Sequence, residues 1–238
     1  MSELAISVRE HPNHLLAVLP GETLALMRSH FTILTLKQGA VLYEAGDEVE
    51  HVYFPHSGMV SVLAVMQNGK AIETATIGRE GVVGAMAGLG LYTSMVRAVV
   101  QLPMTVSRIS AARFRHVVAL SKSVENICIR YNEVLLTQAR LTAACNALHP
   151  VDARFCRWLL QSADRAESAT LPLTQELLSE MLGVRRTSVT DVAGRLQKEG
   201  LISFSRGVIQ ILDRPALEAM TCECYQSLID QSAMLGSP

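Results

Sequence analysis

Apolar and polar residues follow different rhythms along this chain, and the changes of rhythm divide it. Near the N-terminus, Leu15, Leu16, Leu19, Leu24 and Met27 recur at helical spacing. The interruption at Pro20-Gly21 predicts two short helices forming a cap. From Phe31 to about Ile109 the apolar segments become short and strand-like: 31–36, 41–43, 51–54, 59–65, 71–77, 95–102 and 104–109. Nine of the fifteen glycines fall between Gly39 and Gly90, which places repeated turns there. Asn68-Gly69 is a strong hairpin signal because both residues tolerate positive φ. Many short strands at regular spacing predict a compact antiparallel roll or barrel.

The rhythm turns helical over 111–148. Val117, Leu120, Val124, Ile127, Tyr131, Val134, Gln138, Leu141, Cys145 and Leu148 are spaced alternately by three and four, with Gln138 the polar entry. From Val124 to Cys145 this predicts a seam for a parallel homodimer, and the alternative is packing on the helix's own domain. Leu135 and Leu136 lie off the seam and are expected to face the roll. Ser121 to Ser123 is a candidate break, and His149-Pro150 ends the helix. An amphipathic helix over 152–163 turns Phe155, Trp158 and Leu159 inward, with Asp152 as its cap. A polar loop is expected over 164–170.

The segment 174–202 is the most constrained. With Gln175 as position one, Leu178, Leu182, Val184, Val189 and Val192 occupy the places where two steeply crossed short helices must be apolar. Ser179 is small enough for the crossing, and Gly183 takes the positive φ of the turn. Arg185, Arg186, Thr187, Ser188, Thr190, Asp191 and Arg195 then form the outward face of the second helix. Gly200 closes it. Two strands over 202–204 and 208–212 flank Ser205-Arg206-Gly207 and make a wing whose tip can touch a phosphate. Pro215 opens a last helix reaching about Asp230.

Charge adds to this picture only locally. The whole chain of 238 residues has a net charge of -1, whereas Arg185 to Arg206 holds five basic and two acidic residues. Arginine reads guanine edges in a major groove, and Lys and Arg neutralise phosphates. Arg186, Thr187, Thr190 and Asp191 are therefore candidate base readers. Thr174, Gln175, Arg185, Ser188, Arg195, Lys198, Ser205 and Arg206 are candidate backbone contacts, although a solvated helix face is the plainer alternative. With 49% apolar residues the chain is not disordered. No apolar run spans a bilayer and no leader pattern opens the chain. Five cysteines without a framework spacing predict reduced thiols and a cytoplasmic protein.

A strand-rich roll, a long helix and a winged helix-turn-helix together resemble the Crp/Fnr family of bacterial transcription regulators. The resemblance covers nearly the whole chain. It rests most on LPLTQELLSEMLGVRRTSV with LQKEGLI, and on LKQGAVLYEAGDEVEHVYFPHSGMVSV with IGREGVVG. It implies an α+β fold: an N-terminal cyclic-nucleotide-binding-like β-roll (1–110), a dimerisation helix (111–149) and a C-terminal winged helix-turn-helix (150–238). It also implies a homodimer on a palindromic double-stranded operator, RNA polymerase as a partner, and a small-molecule effector of unknown identity. The family's base-contacting Arg-Glu pair falls on Arg186-Thr187, and its second arginine on Asp191, so its usual operator is not implied. Thr174, Gln175, Arg185 and Ser188 fall at backbone-contacting positions.

In the roll, the Gly-Glu pair that cyclic-AMP binders carry falls on Gly84-Ala85, and their Arg-Ser pair falls on Tyr92-Thr93. The acid and the phosphate-binding arginine are both absent, so cyclic AMP in the usual geometry is not expected. Arg97 and Arg79 are the nearby cations that could replace the arginine. The run from Gly78 to Gly90 is either an anion-wrapping loop or a set of tight turns. The first cysteine is Cys128, so the family's N-terminal iron–sulfur sensor is not supported. His51 and His56 give weak grounds for haem. Cys222 and Cys224, two apart on an expected helix, point apart and make a poor metal site. No enzyme motif is present. Two rivals remain: an effector-independent regulator controlled by abundance, and a ligand-binding subunit whose winged helix docks a protein.

Overall fold

The computed structural model describes residues 11–235. Residues 1–10 and 236–238 lie outside the described part, including most of the stretch read for a leader. The cap forms as α1 (His14–Ala17) and α2 (Gly21–Arg28), parted at Pro20. Asn13 caps α1 and fastens it to the roll: its Oδ1 accepts from Leu16 N–H, and its Nδ2 donates to Pro55 and Gly81 carbonyls at 2.9 and 2.8 Å.

Seven strands follow: β1 (Thr32–Leu36), β2 (Val41–Tyr43), β3 (His51–Pro55), β4 (Met59–Val65), β5 (Ala71–Ile77), β6 (Arg97–Leu102) and β7 (Met104–Ser110). They form two antiparallel sheets, ordered β1-β7-β3 and β2-β6-β4-β5. The β4–β5 turn sits at Asn68-Gly69 as expected, with Gly69 at φ +79. Strand β4 is buried on both faces, which accounts for its nearly continuous apolar run. Val60 and Val62 face the roll interior, while Met59 and Leu63 join the core of the C-terminal domain.

The long helical region breaks at Ser121, giving α3 (Ala111–Leu120) and α4 (Lys122–Leu148). The expected seam on α4 does not form a free surface. Val124, Tyr131, Gln138 and Cys145 are buried by their own chain, Ile127 and Val134 pack against the roll, and Leu141 is half-buried. Periodicity identified an inward stripe but assigned it to the wrong partner. Gln138 interrupts the stripe because its Oε1 accepts from Thr76 N–H on edge strand β5 at 3.2 Å. Leu135 packs on the roll, whereas Leu136 is exposed. The outward stripe of α4 carries Ile129, Asn132, Leu136 and Ala143.

The remainder comprises α5 (Val151–Ala166), β8 (Thr170–Leu171), α6 (Gln175–Leu182), α7 (Arg186–Lys198), β9 (Ile202–Ser205), β10 (Val208–Ile211), α8 (Arg214–Ala219) and α9 (Cys224–Leu235). The expected 164–170 loop is helical to Ala166, then supplies β8, which pairs with β10 as a third strand of the wing sheet. The single last helix is two, parted between Ala219 and Cys224. Asp152 does not cap α5; it lies in the first turn and binds Arg195. Trp158 is buried in the core that Met59, Leu63 and Leu102 of the roll share with α5, α6 and α7.

Helix α4 packs tightly on the roll at Gly81. A Cβ there would lie 1.8 Å from the hydroxyl oxygen of buried Tyr131. Gly81→Ala is expected to cost about 1–3 kcal/mol through overpacking, read as a lower urea midpoint with an unchanged slope.

Candidate nucleic-acid interface and effector cavity

The helix-turn-helix is assembled by the residues its spacing selected. Leu178, Leu182, Val189 and Val192 are buried at the α6–α7 crossing, and Gly183 ends α6 at φ +63. Thr174 caps α6, its Oγ1 accepting from Leu177 N–H at 3.2 Å. The Arg154 guanidinium reaches over from α5 to the Leu182 carbonyl, which closes the other end of α6.

Arg185, Arg186, Thr187, Thr190 and Asp191 are exposed on the first turns of α7, and Ser188 is half-buried. Arg186 is 66% exposed, with only a loose contact to Glu176 at 3.8 Å. Arg186 and Arg206 line one cleft of about 320 Å³ with Thr174, Gln175, Glu176, Phe204 and Gly207. Two arginines, one on the reading helix and one on the wing, therefore face the same solvent. Arg206 holds the wing turn at φ +51 beside Gly207 at φ +75. Thr190 donates to Gln175 Oε1 at 3.1 Å, so these two candidates act together.

Arg195 is exposed at the same face and already has a partner within the chain. Its guanidinium donates to both carboxylate oxygens of Asp152 at 2.6 and 2.7 Å. One nitrogen, Nη2, makes both contacts, so Arg195 fastens α7 to α5 while its side chain stays 53% exposed. Lys198 and Ser205 remain exposed at the helix end and the wing tip.

The roll contains a cavity of about 270 Å³ between its strands and α4. Gly84, Ala85 and Thr93 line it, together with Val49, Val62, Ile77, Met95 and Val96. Cys128, Tyr131, Asn132 and Leu135 of α4 close it. Tyr92 and Arg97 do not line it. Tyr92 is exposed, with the Arg115 guanidinium 4.7 Å above its ring. Arg97 is paired to Glu44 at 2.6 Å, and Arg79 to Glu167 at 2.6 Å. Neither cation lines the cavity. No Lys, Arg, Asp or Glu is among the lining residues. The glycine-rich run resolves into turns and a 3-10 segment, Ala85–Leu89, bounded by Gly84 and Gly90 at positive φ.

Sequence profiles match both regions: the cyclic nucleotide-binding domain over residues 33–121 and the Crp-like helix-turn-helix domain over residues 153–220. The chain belongs to the Crp/Fnr family of transcription regulators. No curated protein sequence matches it. Several solved Crp/Fnr structures share its fold. A CRP-family transcriptional regulator from Thermus thermophilus aligns with a TM-score of 0.66 at 21% identity, covering 79% of this chain and 95% of that one. FixK2 from Bradyrhizobium japonicum aligns at 0.67 and 16%, covering 81% and 98%. The c-di-GMP responsive global regulator CLP from Xanthomonas campestris aligns at 0.63 and 20%, covering 81% and 99%.

Two features of this Crp/Fnr chain escaped the sequence reading. The first is the junction between roll and DNA-binding domain. Glu73 on β5 is buried and accepts from Ser61 Oγ at 2.5 Å and from Trp158 Nε1 on α5 at 2.7 Å. Burial pushes its carboxyl up to about 7, against the hydrogen bonds that favour the charged form. Three residues away, Thr76 receives Gln161 Nε2 on its hydroxyl at 3.0 Å and Arg165 on its carbonyl at 3.2 Å, besides giving its N–H to Gln138. One strand thus binds α4 and α5 simultaneously. Glu73 and Trp158 lie 85 positions apart, and no local pattern pairs them.

The second is a correction. Cys222 and Cys224 do not point apart: with Cys145 and His149 they bring their ligand atoms within 4.8 Å of one another.

Among the described residues, no helix is long and apolar enough to cross a membrane.

Proposed function

We propose that this regulator acts as a cytoplasmic homodimer. Its α7 helices read a palindromic operator in double-stranded DNA while its rolls respond to a small effector. In this reading residues 1–110 sense, 111–149 dimerise and 150–238 bind DNA and engage RNA polymerase. The observation that carries it is the shared cleft of Arg186 and Arg206, one cation on the reading helix and one on the wing. Arg186, Thr187, Thr190 and Asp191 read base edges. Thr174, Gln175, Arg185, Ser188, Lys198, Ser205 and Arg206 position the backbone. Selection from randomised duplexes tests this: the expected product is a two-fold symmetric site with half-site centres roughly 34 Å apart. An unenriched pool would refute it.

The dimer surface that the fold supports is the outward stripe of α4, where Ile129, Leu136 and Ala143 recur every seven residues beside Asn132. Leu136→Glu is expected to yield monomers by sedimentation velocity and to weaken operator binding. A dimer that persists would place the interface elsewhere.

The cavity favours an uncharged, largely apolar effector. A cyclic nucleotide phosphate there would be desolvated without a cation. Cyclic AMP titrated calorimetrically into the dimer is therefore expected to give no saturable heat, and a saturable signal near one ligand per chain would overturn this reading of the cavity. An effector that fits must touch Cys128, Tyr131 and Leu135, so its binding energy acts directly on α4. Through Gln138 and Thr76 that helix is tied to the strand that holds α5.

A further inference from the structure

The cluster of Cys145, His149, Cys222 and Cys224 belongs neither to the DNA interface nor to the roll cavity. Three elements build it. Cys145 and His149 are one helical turn apart at the end of α4, joined by a 3.1 Å backbone hydrogen bond. Cys224 opens α9, and Cys222 lies in the connection just before it. The chain turns between them, with Tyr225 N–H donating to the Cys222 carbonyl at 3.1 Å, so both thiols face α4.

Cys145 Sγ lies 3.5 Å from Cys222 Sγ, and Cys224 Sγ lies 3.7 Å from His149 Nδ1. A tetrahedral zinc with bonds of about 2.0–2.3 Å has ligand-to-ligand edges of roughly 3.5–3.8 Å. The three thiols are buried, and His149 has only 19% of its side chain exposed. We propose that Cys145, His149, Cys222 and Cys224 form a closed Cys3His zinc site that clips the end of α4 to the C-terminal helix.

The donor set selects the ion. Three sulfurs and an imidazole suit a thiophilic metal and exclude calcium or magnesium. Ligand atoms this close enclose a single ion and leave no room for an iron–sulfur core, whose ligands sit on different irons. Four protein donors fill the tetrahedron, as in structural rather than catalytic zinc sites. His149 is already oriented: Nδ1 faces the thiols, and Nε2 lies 3.2 Å from Glu223 Oε1. A carboxylate on the outer nitrogen is the usual second partner of a metal-bound histidine.

Charge also balances. Zinc binding releases the three thiol protons to solvent and leaves a site of net charge -1. Buried Arg154 and Arg157 of α5 lie within Coulombic reach of Cys145. Each has an Nε without a hydrogen-bond partner. The zinc would therefore fix the hinge at His149-Pro150, between the long helix and the DNA-binding domain.

The test is metal content of the full-length protein, purified reduced, supplied with zinc and passed into metal-free buffer. About one zinc per chain is expected by mass spectrometry, falling to roughly a tenth or less in Cys222→Ser and Cys224→Ser and staying near one in Cys128→Ser. Cobalt in place of zinc should give the intense visible bands of a tetrahedral thiolate site. Ellman's reagent should find the cluster thiols protected until a chelator is added. Wild-type protein that binds no more zinc than Cys224→Ser would overturn the proposal. So would a weak octahedral cobalt spectrum, or a Cys145–Cys222 disulfide recovered from reduced protein in place of metal.

Discussion

Replacing Trp158 with alanine is expected to lower stability by about 3–5 kcal/mol. Trp158 is 1% exposed and belongs to the core that the roll shares with the DNA-binding domain. Truncation removes that apolar surface and leaves a cavity where two domains meet. It also removes the indole N–H from Glu73, a buried carboxyl left with Ser61 as its hydrogen-bond donor. That second loss depends on protonation. Burial raises the Glu73 pKa to about 7 in the fold, above its unfolded value. The folded state therefore binds more protons between about pH 4.5 and 7, and stability falls as pH rises through that window. At pH 8 Glu73 is ionised and needs the indole most, so Trp158→Ala costs more there than at pH 5. Glu73→Gln should remove the decline, raising stability at pH 8 by on the order of 2 kcal/mol while changing little at pH 5. Urea unfolding of the three proteins at both pH values measures this. A Trp158→Ala loss under about 1 kcal/mol, equal at both pH values, would contradict the shared core.

The second large effect is at the reading helix. Arg186→Ala is expected to cost about 1–3 kcal/mol on the selected operator and almost nothing on random duplex, relaxing preference at one position of each half-site. In a dimer the loss occurs twice, so the selected site should bind roughly tens to tens of thousands of times more weakly. Lys198→Ala and Arg206→Ala should instead weaken operator and random duplex together and flatten the salt dependence by about one charge per subunit. Arg195→Ala separates the two accounts of that residue. If the Nη2 pair with Asp152 is its whole role, its loss lowers thermal stability slightly and leaves the salt slope unchanged. Gel-shift titrations on both duplexes at several salt concentrations read all four variants. An Arg186→Ala protein that selects the same sequence as wild type would remove Arg186 as a base reader.

The contrast between these regions explains what was legible in the sequence. The helix-turn-helix was legible because its packing is local. Seven positions within eighteen residues must satisfy one crossing, and Gly183 must take φ +63. The strands were legible because Asn68-Gly69 and the clustered glycines punctuate short apolar segments. On α4 the period correctly marked a buried stripe, yet period carries no information about which surface buries it. Tyr131 and Gln138 satisfy their own roll, and the outward apolar residues are too widely spaced to stand out. Cys222 and Cys224 were misread because the break before α9 has no strong punctuation; Cys222 and Glu223 sit where the final helix was expected to continue. Glu73 carries no local signal that sets it apart from any other polar residue on a strand. Its significance depends on Trp158, which only the folded chain brings to it.

The most direct test of the account as a whole is the affinity of wild-type protein for its selected operator and for a scrambled duplex of equal composition, measured across a salt series. Binding at least about a thousandfold tighter to the operator is expected, with a log–log salt slope of several charges on both duplexes. Equal affinity for the two, or binding indifferent to salt, would contradict a sequence-reading DNA interface on α7 and its wing.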